Sequence, residues 1–390
     1  MTLPFEISVG LIKKYIRLKK FCLSHQPQPF HLGNVSKTMN KEEQENFSLE
    51  KSGSADLVRV SNSISVTNKL LKESKFQFSG DFKGEQIWKV DGHKMAVRQI
   101  IISDRIFYNK SCLISSGEDG FIRIFNTTDG KCIYERQIEN NWITSIAFCY
   151  DTLYCAGRSG KLYGILFDDE NFLSGGIQAH ELIINNIAVS PNDETIATCS
   201  WDNTIKFWEP NTLKETQKIL AHNLGVNDIL FLPNNSTVIS CGKDDKIKIW
   251  DIKSKSQLGQ FDGHKHWVEA IAFNSSKNIL ASGSCDNTIK IWGIDKQACL
   301  LTIENEEWIN DLVFSIDGNY LVANCYNGIS KVFDTKSFQL ICEYSEHSKV
   351  FPYHHSIKRE ATNWIYSVFF DETNKAIYTA SADGSIHKWK

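Results

Sequence analysis

Three short apolar bursts, each bounded by polar residues, lie between positions 262 and 293, DGHKHWVEAIAFNSSKNILASGSCDNTIKIWG. Residues 267–273, 278–284 and 288–292 predict strands, two of them alternating at a period of two, and the polar stretches NSSK and CDN between them predict turns. Three strands of this size bury too little apolar surface to stand alone, so further copies are expected. Taking His264 and Asp286 as reference points, the first position recurs as His93, Glu139, His180, His222, Asn305 and Ala361. The second recurs as Asp119, Ser159, Asp202, Asp244, Asn327 and Asp383. Successive turn positions lie 40 to 43 residues apart, except for a last step of 56. Seven copies over roughly residues 84–390 predict an all-β repeat fold.

Gly-His near the start of a copy and Trp near its end, at about forty residues per copy, resemble the WD-repeat β-propeller family. The resemblance implies an all-β, seven-bladed propeller whose sequence repeat is offset from its blades. On that logic residues 84–90 (GEQIWKV) supply the outermost strand of the last blade, because the last copy stops at its third strand. Closure of this kind leaves no unpaired sheet edge between first and last blades. Four polar positions in each complete copy are expected to form a buried hydrogen-bond chain. They are His180, Thr198, Asp202 and Trp208 in blade three, and His222, Ser240, Asp244 and Trp250 in blade four. In blade five they are His264, Ser282, Asp286 and Trp292. The turn Asp accepts from the His ring, the ring reaches the hydroxyl, and the hydroxyl accepts from the indole. A His, Asp and Ser trio invites comparison with a catalytic triad, but recurrence in blade after blade marks it as structural. Blades two and six depart furthest, with Glu139, Ser159 and Ile165, then Asn305, Asn327 and Phe333, and are expected to rely on apolar packing instead.

The first 83 residues follow a different pattern. Residues 1–33 begin basic and amphipathic, with Ile7, Leu11, Ile12, Tyr15, Ile16 and Leu18 spaced for a docking helix. Leu3-Pro4-Phe5-Glu6-Ile7 is similar to the opening of an F-box, and residues 35–39 resemble a later piece with Met39 where that family prefers Trp. Pro27 and Pro29 fall inside an over-long spacing between the two pieces. Residues 34–83 turn polar, which predicts a disordered linker with one short helix near 67–75.

Composition adds exclusions. A formal net charge of −3 gives no general bias toward nucleic acid or anionic membranes. The 42% of apolar residues suffices for a large core, and no apolar run approaches the roughly twenty residues of a membrane span. Eleven cysteines without a C-x-x-C pair, several of them in strands (Cys199, Cys241, Cys325), read as reduced thiols of a cytoplasmic or nuclear protein. No cofactor motif and no metal-type spacing occurs, and the loop histidines His347, His354 and His355 read as polar surface.

Candidate chemistry therefore concentrates on one face. The resemblance implies that Ala96, Trp142, Ile183, Gly225, Trp267, Trp308 and Trp364 flank the channel mouth beside the Gly-His loops. Two residues on stand Arg98, Thr144, Asn185, Asn227, Glu269, Asn310 and Tyr366, and Trp201 and Tyr326 join from the turns. Aromatic anchors among polar groups are what a protein-binding hot spot uses. The expected partner-binding set is Arg98, Trp142, Trp201, Trp267, Glu269, Trp308, Asn310, Tyr326, Trp364 and Tyr366. An insertion of roughly 14 residues within 334–363 is expected on the same face. The function expected is a non-catalytic scaffold for partner proteins or peptides. The alternatives are an F-box substrate receptor of a ubiquitin ligase, or an enzyme working in the central funnel.

Overall fold

The computed structural model describes residues 85–107, 110–166, 172–345, 364–371 and 375–390. The expected N-terminal helix, F-box pieces and linker, the three loop histidines and the insertion lie outside the described residues, as does Ala361. The chain divides into units Met1–Phe76 and Gln77–Lys390, and the second holds everything described below.

Among the described residues, twenty-eight strands form seven antiparallel four-stranded sheets. Blades one to six span 97–137, 143–178, 184–220, 226–261, 268–304 and 309–344. Blade seven spans 365–389 and takes its outermost strand from β1 (Gln86–Asp91). The innermost strands touch one another around the ring, and that of blade seven touches that of blade one. The fold is an all-β, seven-bladed propeller.

Period two explains how the ring is glued. In each blade the middle strands are buried on both faces, while outer strands such as Cys132–Gln137 and Lys214–Leu220 alternate toward solvent. The apolar faces meet in seven clusters, one for each blade-to-blade interface. Each blade thus completes two cores and owns none alone. Between blades five and six, for example, Ile289 and Ile291 pack on Ile309, Leu312 and Leu321.

β1 pairs antiparallel with β28 (Ser385–Trp389), with Trp88 opposite Lys388 and Val90 opposite Ile386. Glu85 and Lys390 exchange both backbone bonds at 3.0 and 3.2 Å. The Trp88 indole and the Lys388 ammonium both donate to Thr127 O, at 3.3 and 2.8 Å, tying blade seven to blade one.

One backbone feature repeats seven times. The residue following each turn Asp-type position is left-handed: Gly120, Gly160, Asn203, Asp245, Asn287, Gly328 and Gly384, at φ of 63–81°. Glycine, Asn and Asp tolerate that region best. At Gly120 a Cβ would also lie 1.9 Å from Glu139 O, so two constraints select glycine there.

Candidate functional site

The loop opening each blade and the turn between its second and third strands are pinned together by one backbone bond. Glu118, Arg158, Trp201, Lys243, Cys285, Tyr326 and Ala382 donate to the carbonyls of Ala96, Trp142, Ile183, Gly225, Trp267, Trp308 and Trp364, at 2.8–3.0 Å. These fourteen positions therefore share one face, in every blade.

Beneath that face run the polar chains. In blade five His264 Nδ1 lies 2.8 Å from Asp286 and Nε2 2.7 Å from Ser282 Oγ, which accepts from Trp292 Nε1 at 2.7 Å. The His180, Asp202, Thr198 and Trp208 chain has lengths of 2.9, 2.7 and 2.9 Å. For His222, Asp244, Ser240 and Trp250 they are 2.7, 2.8 and 2.9 Å. Burial alone would raise these carboxyls, but the His hydrogen bonds and charge, together with backbone amides, the Thr204 and Thr288 hydroxyls and the Lys248 ammonium, jointly outweigh it and hold Asp202, Asp244 and Asp286 well below the usual range. Ser240, Ser282 and Thr198 are fully buried, and each oxygen is engaged by both a ring nitrogen and an indole. An alkoxide nucleophile needs a free approach, and here the hydroxyl is a structural node.

Blades two and six correct the expectation of apolar packing alone. Glu139, standing in the His place, accepts from Ser159 Oγ and Tyr163 OH, both at 3.1 Å. In blade six Asn305 accepts from Lys331 Nζ at 2.7 Å and donates to Cys325 Sγ at 3.4 Å. The position is half-buried in these blades and still takes partners, so when its residue changes from His to an acceptor, hydroxyls and an ammonium supply the protons. Sequence reading had matched Ile165 and Phe333 to the Trp position and missed Tyr163 and Lys331, which lie two residues earlier.

The face residues divide by what covers them. Lys243 Nζ sits 3.4 Å from the Trp201 ring centroid and 4.6 Å from that of Trp267. Arg158 lies 4.4 Å over Trp142, and Arg98 4.1 Å over Tyr366 while reaching Glu118 at 3.5 Å. From Trp267 an aromatic train crosses to blade seven. His266 lies between Trp267 and Trp308 (5.2 and 6.2 Å), then Trp308 meets Tyr326 (5.1 Å), Tyr326 meets Trp364 (4.8 Å) and Trp364 meets Tyr366 (6.1 Å). Trp201, Trp267 and Trp308 remain 39–40% exposed. Burial pushes the Tyr366 hydroxyl up to about 12 and raises Tyr326 too, so both are neutral phenols.

Asn310 is placed differently. Its amide donates to Ile365 O of blade seven at 2.8 Å, as Asn185 does to Val226 O (2.7 Å) and Asn227 to Val268 O (3.0 Å). It serves as a blade-to-blade link, with its donor committed. Glu269 occupies the same position in blade five but cannot donate as a carboxylate; it accepts from the Cys285 thiol at 3.2 Å. A second inner ring was missed in the sequence. Ser145, Asp228, Asp311 and Ser367 accept the amides of Ile187, Ile271, Val368 and Ile100 in the next blade, at 2.8–3.3 Å. Burial pushes the Asp228 carboxyl up to about 6; burial and the Asp228 charge push Asp311 up to about 7.

Seven sheets in a closed ring, each inner strand packed against the next, define a β-propeller, with aromatic residues along one face. Segments 171–209, 213–251, 255–293, 297–334 and 346–390 match the family model described as WD domain, G-beta repeat. They cover just over half of the chain, which belongs to the WD-repeat family. Segment 213–251 opens at the outer strand Lys214–Leu220 of blade three and closes at the third strand Ile247–Asp251 of blade four, the offset that assigns β1 to the last blade. Propellers of this family typically bind other proteins, and a protein-interaction scaffold is consistent with the fold. Among the described residues, no helix is long and apolar enough to cross a membrane.

Proposed function

We propose that this propeller acts by binding: a segment of a partner protein docks on the face of the Gly-His loops, over blades five to seven. The observation that carries this reading is the aromatic train from Trp267 to Tyr366, with Trp267 and Trp308 39% exposed at its solvent side. Rigid aromatic rings lose little conformational entropy on binding and bury large areas, which makes them anchors at the centre of interfaces. Trp142 and Trp201 lie outside that train, each with a cation of the same chain over its ring, and contribute at the margin. Asn310 is not among the docking residues, because its amide holds blade seven.

Capture of partners by the full-length chain tests this. Trp267→Ala with Trp308→Ala should remove a reproducible subset of captured proteins while the melting temperature stays close to wild type. Leu258→Ala, on an outer strand and 53% exposed, serves as the control that should remove none. If the double variant keeps every partner, or if the rim control loses the same ones, the face is not the docking surface.

A further inference from the structure

The outermost strand of each blade stands at the edge of its sheet, and an edge strand is a template on which another chain can pair. Charged side chains on such a strand discourage that pairing. Four of the seven carry them: Glu135 and Arg136 in blade one, Lys214, Glu215 and Lys218 in blade three, Glu343 in blade six, and Lys89 and Asp91 on β1. The outer strand of blade two, Phe172–Gln178, is broken by Gly175 and Gly176. That of blade four, Ser256–Phe261, is polar, and Gln297 of blade five lies over its Gly259, with the amide nitrogen 2.6 Å from where a Cβ would stand.

The outer strand of blade five, β21 (Ala298–Glu304), has neither device. Its sequence ACLLTIE is neutral up to the last residue, and Ala298, Cys299, Leu300 and Leu301 are exposed in succession. Leu300 is 50% exposed and leans over Gly293, which has no side chain to meet it. The apolar rim continues on blade six with the exposed Leu340 and Ile341. Charge returns at the two ends of β21 with opposite sign. Lys296 stands four residues before Leu300 and Glu304 four residues after it, and both are exposed. A surface that meets its own copy across a two-fold axis must be its own complement. Two antiparallel copies of β21 centred on Leu300 satisfy that condition. Lys296 faces Glu304 at either end, Ala298 faces Thr302, Cys299 faces Leu301, and no like charges face each other between 295 and 305.

We propose that β21 is a dimerisation edge: a second copy of this chain lays its own β21 antiparallel to the first, joining two four-stranded blades into one eight-stranded sheet. β21 carries a bulge at Leu300, the residue left over between the Ile291–Leu301 and Trp292–Cys299 pairs. A bulge facing a regular strand offsets the register. Here each copy brings its extra residue to the axis, so the pairs on either side stay matched. Backbone hydrogen bonds supply the attraction, Leu300 and Leu301 supply buried apolar area, and the two Lys296–Glu304 contacts choose the register. Antiparallel pairing turns the two Gly-His faces in opposite directions, so each copy keeps its docking face open. The dimer does not depend on what docks there.

Sedimentation equilibrium of the full-length chain in reducing buffer tests this. A single strand pair makes a small interface, for which a dissociation constant of about 1–100 μM is expected. Across that range of concentration the weight-average mass should rise from 44.4 kDa toward twice that value. Lys296→Glu sets like charges face to face at both ends and should weaken the dimer about ten-fold or more, because two contacts change sign. Lys296→Glu combined with Glu304→Lys exchanges the ends and should return the dissociation constant to within about three-fold of wild type. Leu300→Lys places two ammonium groups on the axis and should leave the chain monomeric. All three positions are exposed, and thermal melting checks that the blade stays folded; if Leu300→Lys lowers the melting temperature, the charge exchange decides alone. A monomer throughout the range, which would leave β21 to a strand of a different protein, overturns the proposal. So does a dimer indifferent to Lys296→Glu, or an exchange that fails to restore what the single reversal removes.

Discussion

Replacing Asp286 by Ala probes whether the polar chains stabilise the blades. Its carboxylate accepts from His264 Nδ1 (2.8 Å), Lys265 N (2.9 Å), Thr288 N (3.0 Å) and Thr288 Oγ1 (2.6 Å). The His264 side chain is fully enclosed, and that of Asp286 is 7% exposed. The Lys265 amide lies at the surface and regains water in the variant, whereas the imidazole cannot. A hydrogen bond to a charged group is worth about 1.5–3 kcal/mol, and stripping one partner from a buried pair costs about 3–5 kcal/mol. With one donor rehydrated, a loss of about 3–4 kcal/mol is expected. Asn327→Ala, at the matching turn of blade six, removes a single bond from Ile329 N at 3.2 Å and should cost about 1 kcal/mol. Denaturant midpoints of the two variants give the comparison, and hydrogen exchange of the 279–293 hairpin localises it if unfolding is not two-state. The depressed carboxyl of Asp286 adds a pH signature. Its contribution is complete above the unfolded pKa of about 4 and is lost as pH falls toward the lower folded value, so the gap between variants should close in strong acid. Equal losses at neutral pH would refute the reasoning.

Three further outcomes are expected. Removing residues 1–84 should leave the melting temperature of the propeller unchanged, while removing 1–91 takes β1 and should lower it by more than about 10 °C; equal melting temperatures would show that β1 does not close the ring. Asp228 and Asp311 have raised carboxyl pKa values, so the folded state holds more protons than the unfolded one from about pH 4 to their values of about 6 and 7, and stability should fall as pH rises through that window. Asp311→Ser, the residue that does the same bridging at Ser145 and Ser367, should flatten this fall in thermal scans, and an unaltered slope would count against it. Glu139→Ala should cost about 1–3 kcal/mol by removing the carboxylate that accepts from the Ser159 and Tyr163 hydroxyls, with Glu139→Gln milder; matched unfolding midpoints of the two would mean that the carboxylate contributes nothing as an acceptor.

The propeller was legible because its determinants lie inside one repeat. His264, Ser282, Asp286 and Trp292 are separated by fixed intervals along the chain, and the same intervals return in blades three and four. The replacement chains were not legible, because the complete repeats carry Lys206, Lys248 and Lys290 at the position of Tyr163 and Lys331, so Lys331 reads as an ordinary repeat residue and Tyr163 as a local departure rather than as partners of Asn305 and Glu139. Links between blades were also hidden. Asn185, Asn227 and Asn310 look like surface amides when read along the chain, and only the spacing of one innermost strand from the next brings a carbonyl to each. The same limit applies to Lys243, whose ammonium spans Trp201 of one blade and Trp267 of another. Aromatic positions on the face could be read from register; which of them were already covered could not.

The pairing of β1 with β28 has a temporal consequence. The ribosome delivers β1 roughly 290 residues before its partner, and closing a loop of that length costs about 5 kcal/mol of chain entropy. Until Ser385–Trp389 has emerged, blade seven lacks its third strand and Val90 and Trp88 have no sheet to join. The six earlier blades can form in order as they appear, each leaning on the one before, but the ring must wait with two open edges. Such an arc is a substrate for chaperones and for aggregation alike, so the final five-residue strand decides whether a newly made chain becomes a propeller.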